Sequence, residues 1–329
     1  MSRPDVSIVV VSYNVRDDLA ECLGSLATGA PGLETEILVV DNASSDASAE
    51  LVARDFPLAR LIANHDNVGF ARAVNQALAH ARGRYVLLLN PDTVMPPGAL
   101  TRLVALADQR PGVGLLAPET RDPATGAVQT SLRPFPTWAG ILAHYTVLKP
   151  VLRLLARQAP AVVVEHPTTE GWLVGACLLI RRELLEQIGG LDGAYFLFFE
   201  DTDYARRAIR AGWHVLGTRE VMLWHKKSRS VAKEAAAEMK WVEVESLFHY
   251  LAGEPHRHSR FRRQVLTTLL VVTSAVRFAT NGVKAPVCAV LGRSGPAARH
   301  RRRAALHAGL LRRLLAPRHA AEPGDRGHR

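Results

Sequence analysis

Ser7-Ile8-Val9-Val10-Val11-Ser12-Tyr13-Asn14 sets a nearly unbroken apolar run against a polar end. A strand with one wet face alternates polar and apolar residues, whereas a continuous β-branched run is buried on both faces. Such runs recur at Ile37-Leu38-Val39-Val40 and Tyr85-Val86-Leu87-Leu88-Leu89. Between them lie stretches with apolar residues at helical spacing: Arg16 to Leu26, Ala49 to Arg54, and Ala71 to Ala81. This alternation predicts an α/β fold with a Rossmann-like, mostly parallel central sheet flanked by helices. Ligands of such sheets sit beyond the carboxyl ends of the strands. The candidates are therefore the residues after each run: Ser12-Tyr13-Asn14, Asp41-Asn42 and Asn90-Pro91-Asp92.

Further along, Pro96-Pro97 precedes a helix through Leu106 and a strand over Val113 to Ala117. Pro118 to Pro136, rich in Pro, Thr and Arg, reads as an ordered loop or flap, and Trp138 to Leu155 as a helix. Pro118 to Glu170 is assigned to acceptor selection. Trp172 to Ile180 reads as a strand whose small residues, Gly175 and Ala176, admit a close neighbour. Thr202 to Ala211 is a helix stopped by Gly212.

The chain has 329 residues, an apolar fraction of 48% and a net charge of +10. From Arg257 onward 16 Lys or Arg face two acids, so the first 256 residues are mildly acidic, which argues against a nucleic-acid groove. The expected division is a catalytic domain over 1–253 and a basic, partly apolar helical extension over 254–329 with a disordered tail. Cys22, Cys177 and Cys288 form no metal-ligand spacing. Met1 leads into Val6 to Val11 with no secretion-signal pattern, giving a cytoplasmic expectation. Gln264 to Val276 is uncharged but shorter than the ~20 residues of a spanning helix. An in-plane anchor on the inner face of the cell membrane, reinforced by Arg299, Arg301, Arg302, Arg303, Arg312 and Arg313, is the preferred reading. A packing helix with a disordered basic tail is the other.

Three sets of residues carry chemistry. Asp41 opens Asp41-Asn42-Ala43-Ser44-Ser45-Asp46, where a side chain can accept from a nucleoside or merely cap a turn; for Asp46 the cap is favoured. Asp92 follows the most hydrophobic strand, and Asn90-Pro91-Asp92 is a degenerate DxD in which Asn replaces the first acid. An acid there can hold a hard divalent cation against a diphosphate, although an Asn-Pro-Asp turn needs no such role. Glu200-Asp201-Thr202-Asp203 follows the apolar run Tyr195 to Phe199. Clustered acids beside an apolar wall hold protons more tightly, which suits a general base; capping of the following helix is the alternative. His225, at the end of Val221 to Trp224, reads as a structural residue or a metal ligand. Trp172 is a sugar platform or a buried aromatic.

In order, Ser7 to Asn14, Val40 to Asp46 and Asn67-Val68-Gly69-Phe70-Ala71-Arg72-Ala73-Val74-Asn75 resemble glycosyltransferase family 2 with its GT-A fold. Asn90-Pro91-Asp92, Gly175-Ala176, Phe199 to Arg207 and Trp224-His225 continue the resemblance in the same order. It implies nucleotide contacts at Ser12, Tyr13, Asn14, Asp41, Asn67, Gly69 and Asn90, and metal ligation of Mg²⁺ or Mn²⁺ by Asp92 and His225. It implies Asp201 as catalytic base, with Glu200 and Asp203 supporting it or orienting the acceptor, and substrate contacts at Trp172, Gly175 and Ala176. The reaction implied is inverting transfer from a nucleotide-sugar donor to a hydroxyl acceptor. Bacterial rhamnosyltransferases share the Asp-Asn-Ala-Ser-Ser-Asp, Asn-Val-Gly-Phe-Ala and Leu-Asn-Pro-Asp phrases, which favours dTDP-rhamnose and a lipid-linked glycan acceptor. A UDP- or GDP-sugar transferase and an inactive membrane-associated scaffold remain as alternatives. A nucleotidyltransferase lacks its glycine- and lysine-rich loop here, and a dehydrogenase its GxGxxG turn.

Overall fold

β-Branched and leucine-rich runs form the centre of the molecule because both their faces can be covered. In the computed structural model, which describes residues 3–148, 166–226, 236–253, 259–290 and 294–315, every residue of the first strand is buried. The strands described are β1 (Val6–Ser12), β2 (Thr35–Asp41), β3 (Arg60–Ala63), β4 (Tyr85–Leu89), β5 (Thr93–Val94), β6 (Val113–Arg121), β7 (Val128–Gln129), β8 (Leu132–Arg133), β9 (Trp172–Leu173), β10 (Cys177–Arg181) and β11 (His214–His225). The helices are α1 (Arg16–Gly29), α2 (Ser48–Asp55), α3 (Phe70–Leu78), α4 (Ala99–Asp108), α5 (Trp138–Tyr145), α6 (Arg182–Ile188), α7 (Glu200–Arg210), α8 (Ala236–Ala252), α9 (Ser259–Val290) and α10 (Ser294–Leu315).

The main sheet runs β3-β2-β1-β4-β10-β6-β11-β5, with β7 on β6, and β8 pairs β9 separately. β3, β2, β1 and β4 are parallel, as the apolar runs predict. β10 enters antiparallel between β4 and β6, which makes the second half mixed. Leu19, Cys22, Leu23 and Leu26 of α1 and Leu100, Leu103 and Val104 of α4 pack against Val6, Ile8, Val10 and Leu87. Each such side chain contributes roughly 1.5–3 kcal/mol on burial.

Pro118 to Pro136 is more ordered than a loop. β6 runs on to Arg121, and Asp122 Oδ1 accepts from the Ala124 and Thr125 amides at 2.8 and 3.0 Å. With Gly126 at φ 68° this turn reverses the chain into β7. The expected Trp138 to Leu155 helix is shorter: α5 ends at Tyr145, where Thr146 turns extended, while residues 149–155 lie outside those described, as do residues 316–329 of the expected disordered tail.

The chain divides into two compact units: 1–135 with 159–234 and 242–250, and 136–158 with 235–241 and 251–329. The first holds the sheet. In the second, Val147 N–H donates to Thr273 Oγ1 at 3.0 Å and Asn281 meets His300 at 2.8 Å. The uncharged Gln264 to Val276 stretch alone is too short to span, but α9 runs unbroken past Arg277 and Lys284 to Val290, so by length and composition it meets the requirement for crossing a membrane. Helical hydrogen bonding continues past a single Arg or Lys because those side chains reach solvent from their stems.

Candidate active site at the carboxyl edge of the sheet

The register of β1 on β2 places Ser12 beside Asp41 at the ends of their strands. Both are buried. Asp41 Oδ2 accepts from the Ser44 amide at 2.9 Å, which is the turn cap, while Asp41 Oδ1 and Ser12 Oγ have no partner. A buried polar atom left unsatisfied costs about 1–3 kcal/mol, so these two atoms suit a polar ligand. Asp41 therefore both closes its turn and offers a free acceptor. Asp46 is a capping residue, taking the Ser48 and Arg16 amides at 3.2 and 3.0 Å.

Half-buried Tyr13 continues from Ser12. Asn14, left-handed at φ 54°, accepts from the Ser45 amide at 2.8 Å and ties the two loops together. Asn67 Oδ1 accepts from the Gly69 amide at 3.0 Å and from Asn42 Nδ2 at 2.9 Å. Asn42 also accepts from Asn64, which exchanges hydrogen bonds with Gln76 at 3.0 Å. This amide network was not singled out from the sequence, where its members are scattered over two loops and a helix. Gly69, at φ 85°, has no room for a side chain: an added Cβ would lie 2.7 Å from the Phe196 carbonyl oxygen.

Gly175 and Ala176 join the other two parts. The Ala176 carbonyl accepts from the Asn90 amide at 2.9 Å, and the Gly175 amide donates to Asp201 Oδ2 at 3.0 Å. Adjacent residues thus hold the Asn90-Pro91-Asp92 turn and the acidic helix start. The Asn90 carbonyl accepts from Thr93 Oγ1 at 2.7 Å, which shapes that turn.

Asp92 meets His225 because β5 and β11 pair with His225 opposite Thr93. His225 Nε2 lies 3.4 Å from Asp92 Oδ1, and both residues are buried. Gln129 of β7 holds the other side of the ring: Nε2 donates to the His225 carbonyl at 3.0 Å, and Oε1 lies 2.9 Å from Nδ1. Sequence reading placed Gln129 in a flap and gave it no role; the β-branched Val128 and Thr130 on either side were the available signal. Among the described residues no three His, Cys, Asp or Glu side chains gather into a metal cage.

α7 starts abruptly. Phe198 and Phe199 are both left-handed, at φ 71° and 68°, a conformation that costs about 1–3 kcal/mol for a bulky residue. The 242–250 stretch of α8 holds this loop: Ser246 Oγ donates to the Leu197 carbonyl at 2.8 Å, and the Phe199 and Tyr250 ring centroids are 5.4 Å apart. His249 meets Asp192 at 2.7 Å and packs edge-on against Tyr195. Asp201 Oδ1 accepts from the Thr202 amide at 2.7 Å. Burial pushes the Asp201 carboxyl above the usual range, against the hydrogen bonds from Gly175 and Thr202. Burial and the neighbouring Asp201 charge push Glu200 up to about 8, and its buried Oε2 has no partner. Asp203 instead gives both oxygens to Arg206 and Arg207 of its own helix, at 3.0 and 2.9 Å. Trp172 donates its indole N–H to the Pro134 carbonyl at 3.1 Å, and Arg133 lies 5.7 Å from its ring centroid.

A strand-edge pocket with two free acceptors, an acid–histidine pair and a carboxylate of raised proton affinity is the arrangement of a group-transfer enzyme. The profile of Glycosyl transferase family 2 matches residues 7–189, and that of Glycosyl transferase family 21 matches residues 148–304. The N-acetylglucosaminyl-diphospho-decaprenol L-rhamnosyltransferase of Mycobacterium tuberculosis (strain ATCC 25618 / H37Rv) is 30% identical over 288 residues, covering 82% of this chain and 90% of its own. Rhamnosyltransferase WbbL of Escherichia coli (strain K12) is 24% identical over 75% of this chain and 92% of its own. A solved mannosyltransferase, PcManGT from Pyrobaculum calidifontis in complex with GDP-Man and Mn²⁺, shares the GT-A fold with a TM-score of 0.53 at 20% identity, covering 94% of this chain and 86% of its own. The match over more than half its length, in the order its strand ends dictate, makes the chain a member of glycosyltransferase family 2.

Proposed function

We propose that this glycosyltransferase moves a sugar, L-rhamnose from dTDP-rhamnose as the preferred donor, onto a hydroxyl of a polyprenyl-linked or cell-surface glycan, with inversion. The observation that carries the reading is Asp201: a carboxylate aimed by Gly175 and Thr202, with raised proton affinity, one residue removed from the segment that holds the Asn90 turn. The rhamnosyl donor and diphosphate-linked lipid acceptor are supported by the activity for which the mycobacterial relative is named.

In this reading Asp201 takes the acceptor hydroxyl proton as that oxygen attacks the anomeric carbon and the bond to the nucleoside diphosphate breaks. Glu200, holding its own proton at neutral pH, adds no second negative charge beside Asp201. Ser12 and Asp41 receive the nucleoside, and the Asn14, Asn67 and Gly69 loops shape its pocket. Asp92 and His225 suit Mg²⁺ or Mn²⁺: a hard carboxylate oxygen and an imidazole nitrogen converge, leaving a shell that diphosphate oxygens would complete. When bound, that ion supplies neutralising charge to the leaving diphosphate. The exposed side chains of α9 support attachment to the inner face of the cytoplasmic membrane. Val272, Val276, Val283, Val287 and Val290 recur at spacings of four, seven, four and three, one apolar stripe, near exposed Arg301, Arg302 and Arg303 of α10 in sequence.

The test is nucleoside diphosphate release by the purified full chain with lipid extract, Mg²⁺ or Mn²⁺ and a panel of nucleotide sugars. Release with dTDP-rhamnose that Asp201→Asn lowers by a factor of about 10²–10⁴ supports base and donor together. Release only with a UDP- or GDP-sugar moves the donor assignment. No release with any donor and acceptor lipid favours the inactive scaffold.

A further inference from the structure

We infer that Gln129 is a positioning residue for the cation pair, its side-chain amide holding His225 with the Nε2 lone pair turned toward Asp92. This rests on the reading of Asp92 and His225 as donor-side cation ligands.

The chemistry of one amide decides the orientation. The His225 main-chain carbonyl can only accept, so the Gln129 side chain must present its NH₂ there, as the 3.0 Å contact requires. Its Oε1, which can only accept, then faces Nδ1 at 2.9 Å, so Nδ1 carries a hydrogen. In the neutral ring the other nitrogen, Nε2, keeps its lone pair. That lone pair lies 3.4 Å from Asp92 Oδ1.

Gln129 is well placed to impose this. Its backbone is paired in β7 with Thr120 of β6, and Thr120 Oγ1 donates to its carbonyl at 3.2 Å. The residue is therefore fixed at both ends, main chain to β6 and side chain to β11. Residues that hold the remote nitrogen of a ligand imidazole set its tautomer and orientation, and their loss costs metal affinity about 10–100-fold. The β6–β7 hairpin, assigned from the sequence to acceptor selection, thus serves the donor side through this one side chain.

The experiment measures Mn²⁺ affinity of the full chain in the presence of dTDP, by calorimetry or electron paramagnetic resonance, for wild type, Gln129→Ala, Gln129→Glu, His225→Ala and the Gln129→Ala/His225→Ala double variant. Gln129→Ala is expected to weaken Mn²⁺ binding about 10–100-fold, Gln129→Glu to weaken it too because its carboxylate has no donor for the His225 carbonyl, and the double variant to bind no more weakly than His225→Ala. Nitrogen-15 spectra of the histidine side chains, without metal, should show His225 protonated at Nδ1 in wild type and mixed in Gln129→Ala. Unchanged affinity in Gln129→Ala, or losses that multiply in the double variant, overturns the inference while leaving the cation pair standing. If Asp92→Asn and His225→Ala bind Mn²⁺ as wild type does, the cation pair itself falls, and Gln129 with it.

Discussion

Glu200 and Asp201 are adjacent in sequence yet differ in surroundings. Asp201 accepts hydrogen bonds from Gly175 and Thr202, whereas Glu200 has a buried oxygen with no partner. A carboxyl whose pKa rises from 4.5 unfolded to about 8 folded keeps its proton in the native state over that window and loses it in the unfolded chain. The native state then binds more protons, so its stability is full below about pH 4.5 and declines as pH rises toward 8. Glu200→Gln should flatten that decline, seen as a smaller drop in Tm between pH 5 and 8 than wild type shows; an unchanged slope would place the proton elsewhere. Asp41, Asp92 and His225 were visible in the sequence because each follows an apolar run, and strand ends are where such sheets present ligands. Gln129 and the Asn42–Asn64–Asn67–Gln76 network were not, because partners up to 96 residues apart meet only through strand pairing. The dual use of Asp41, one oxygen in a turn and one left free, also needed coordinates, since both readings ask for the same residue type.

At the scale of elements, the loop from Asn67 to Phe70 and the loop before α7 are fitted to each other. The Phe70 amide donates to the Phe196 carbonyl at 2.6 Å, and the Gly69 α-carbon has that carbonyl where a side chain would go. Gly69→Ala should therefore cost roughly 1–3 kcal/mol from backbone strain alone, with further loss from the displaced Phe196. Urea denaturation should show the lower midpoint, and donor KM should rise because the pocket wall moves. A midpoint equal to wild type would mean the loop has another low-energy arrangement. The parallel half of the sheet was legible from continuous apolar runs. β7 and β8 were not, since two-residue strands lack a period and depend on their partners.

For the whole molecule, a mildly acidic body is joined to a basic end. The stripe on α9 leaves Val276 45% and Val283 66% exposed, and water is a poor neighbour for such a row. Val276→Asp with Val283→Asp should sharply reduce co-sedimentation with anionic phospholipid vesicles while leaving nucleoside diphosphate release from the donor, with a soluble acceptor, near wild type. Equal sedimentation would show that the stripe packs against protein instead. The uncharged Gln264 to Val276 stretch is too short to cross a membrane by itself, whereas α9 as a whole carries Arg277 and Lys284 without a break.

The paired left-handed phenylalanines ahead of Glu200 bear on how the enzyme comes into being. Residues 198 and 199 are uphill on their own, and Ser246 and Tyr250 hold them there. During synthesis the acidic start of α7 leaves the ribosome well before those holders exist, so the growing chain passes through an interval in which its sheet can form but the loop before α7 is not yet held. Ribosome-bound chains arrested just short of residue 242 should resist protease across β1 to β4 yet be cut at Tyr195 to Phe199, and arrest beyond residue 250 with room to emerge should close that cut. Activity would thus arrive late and all at once, which keeps an unfinished transferase from spending donor on water.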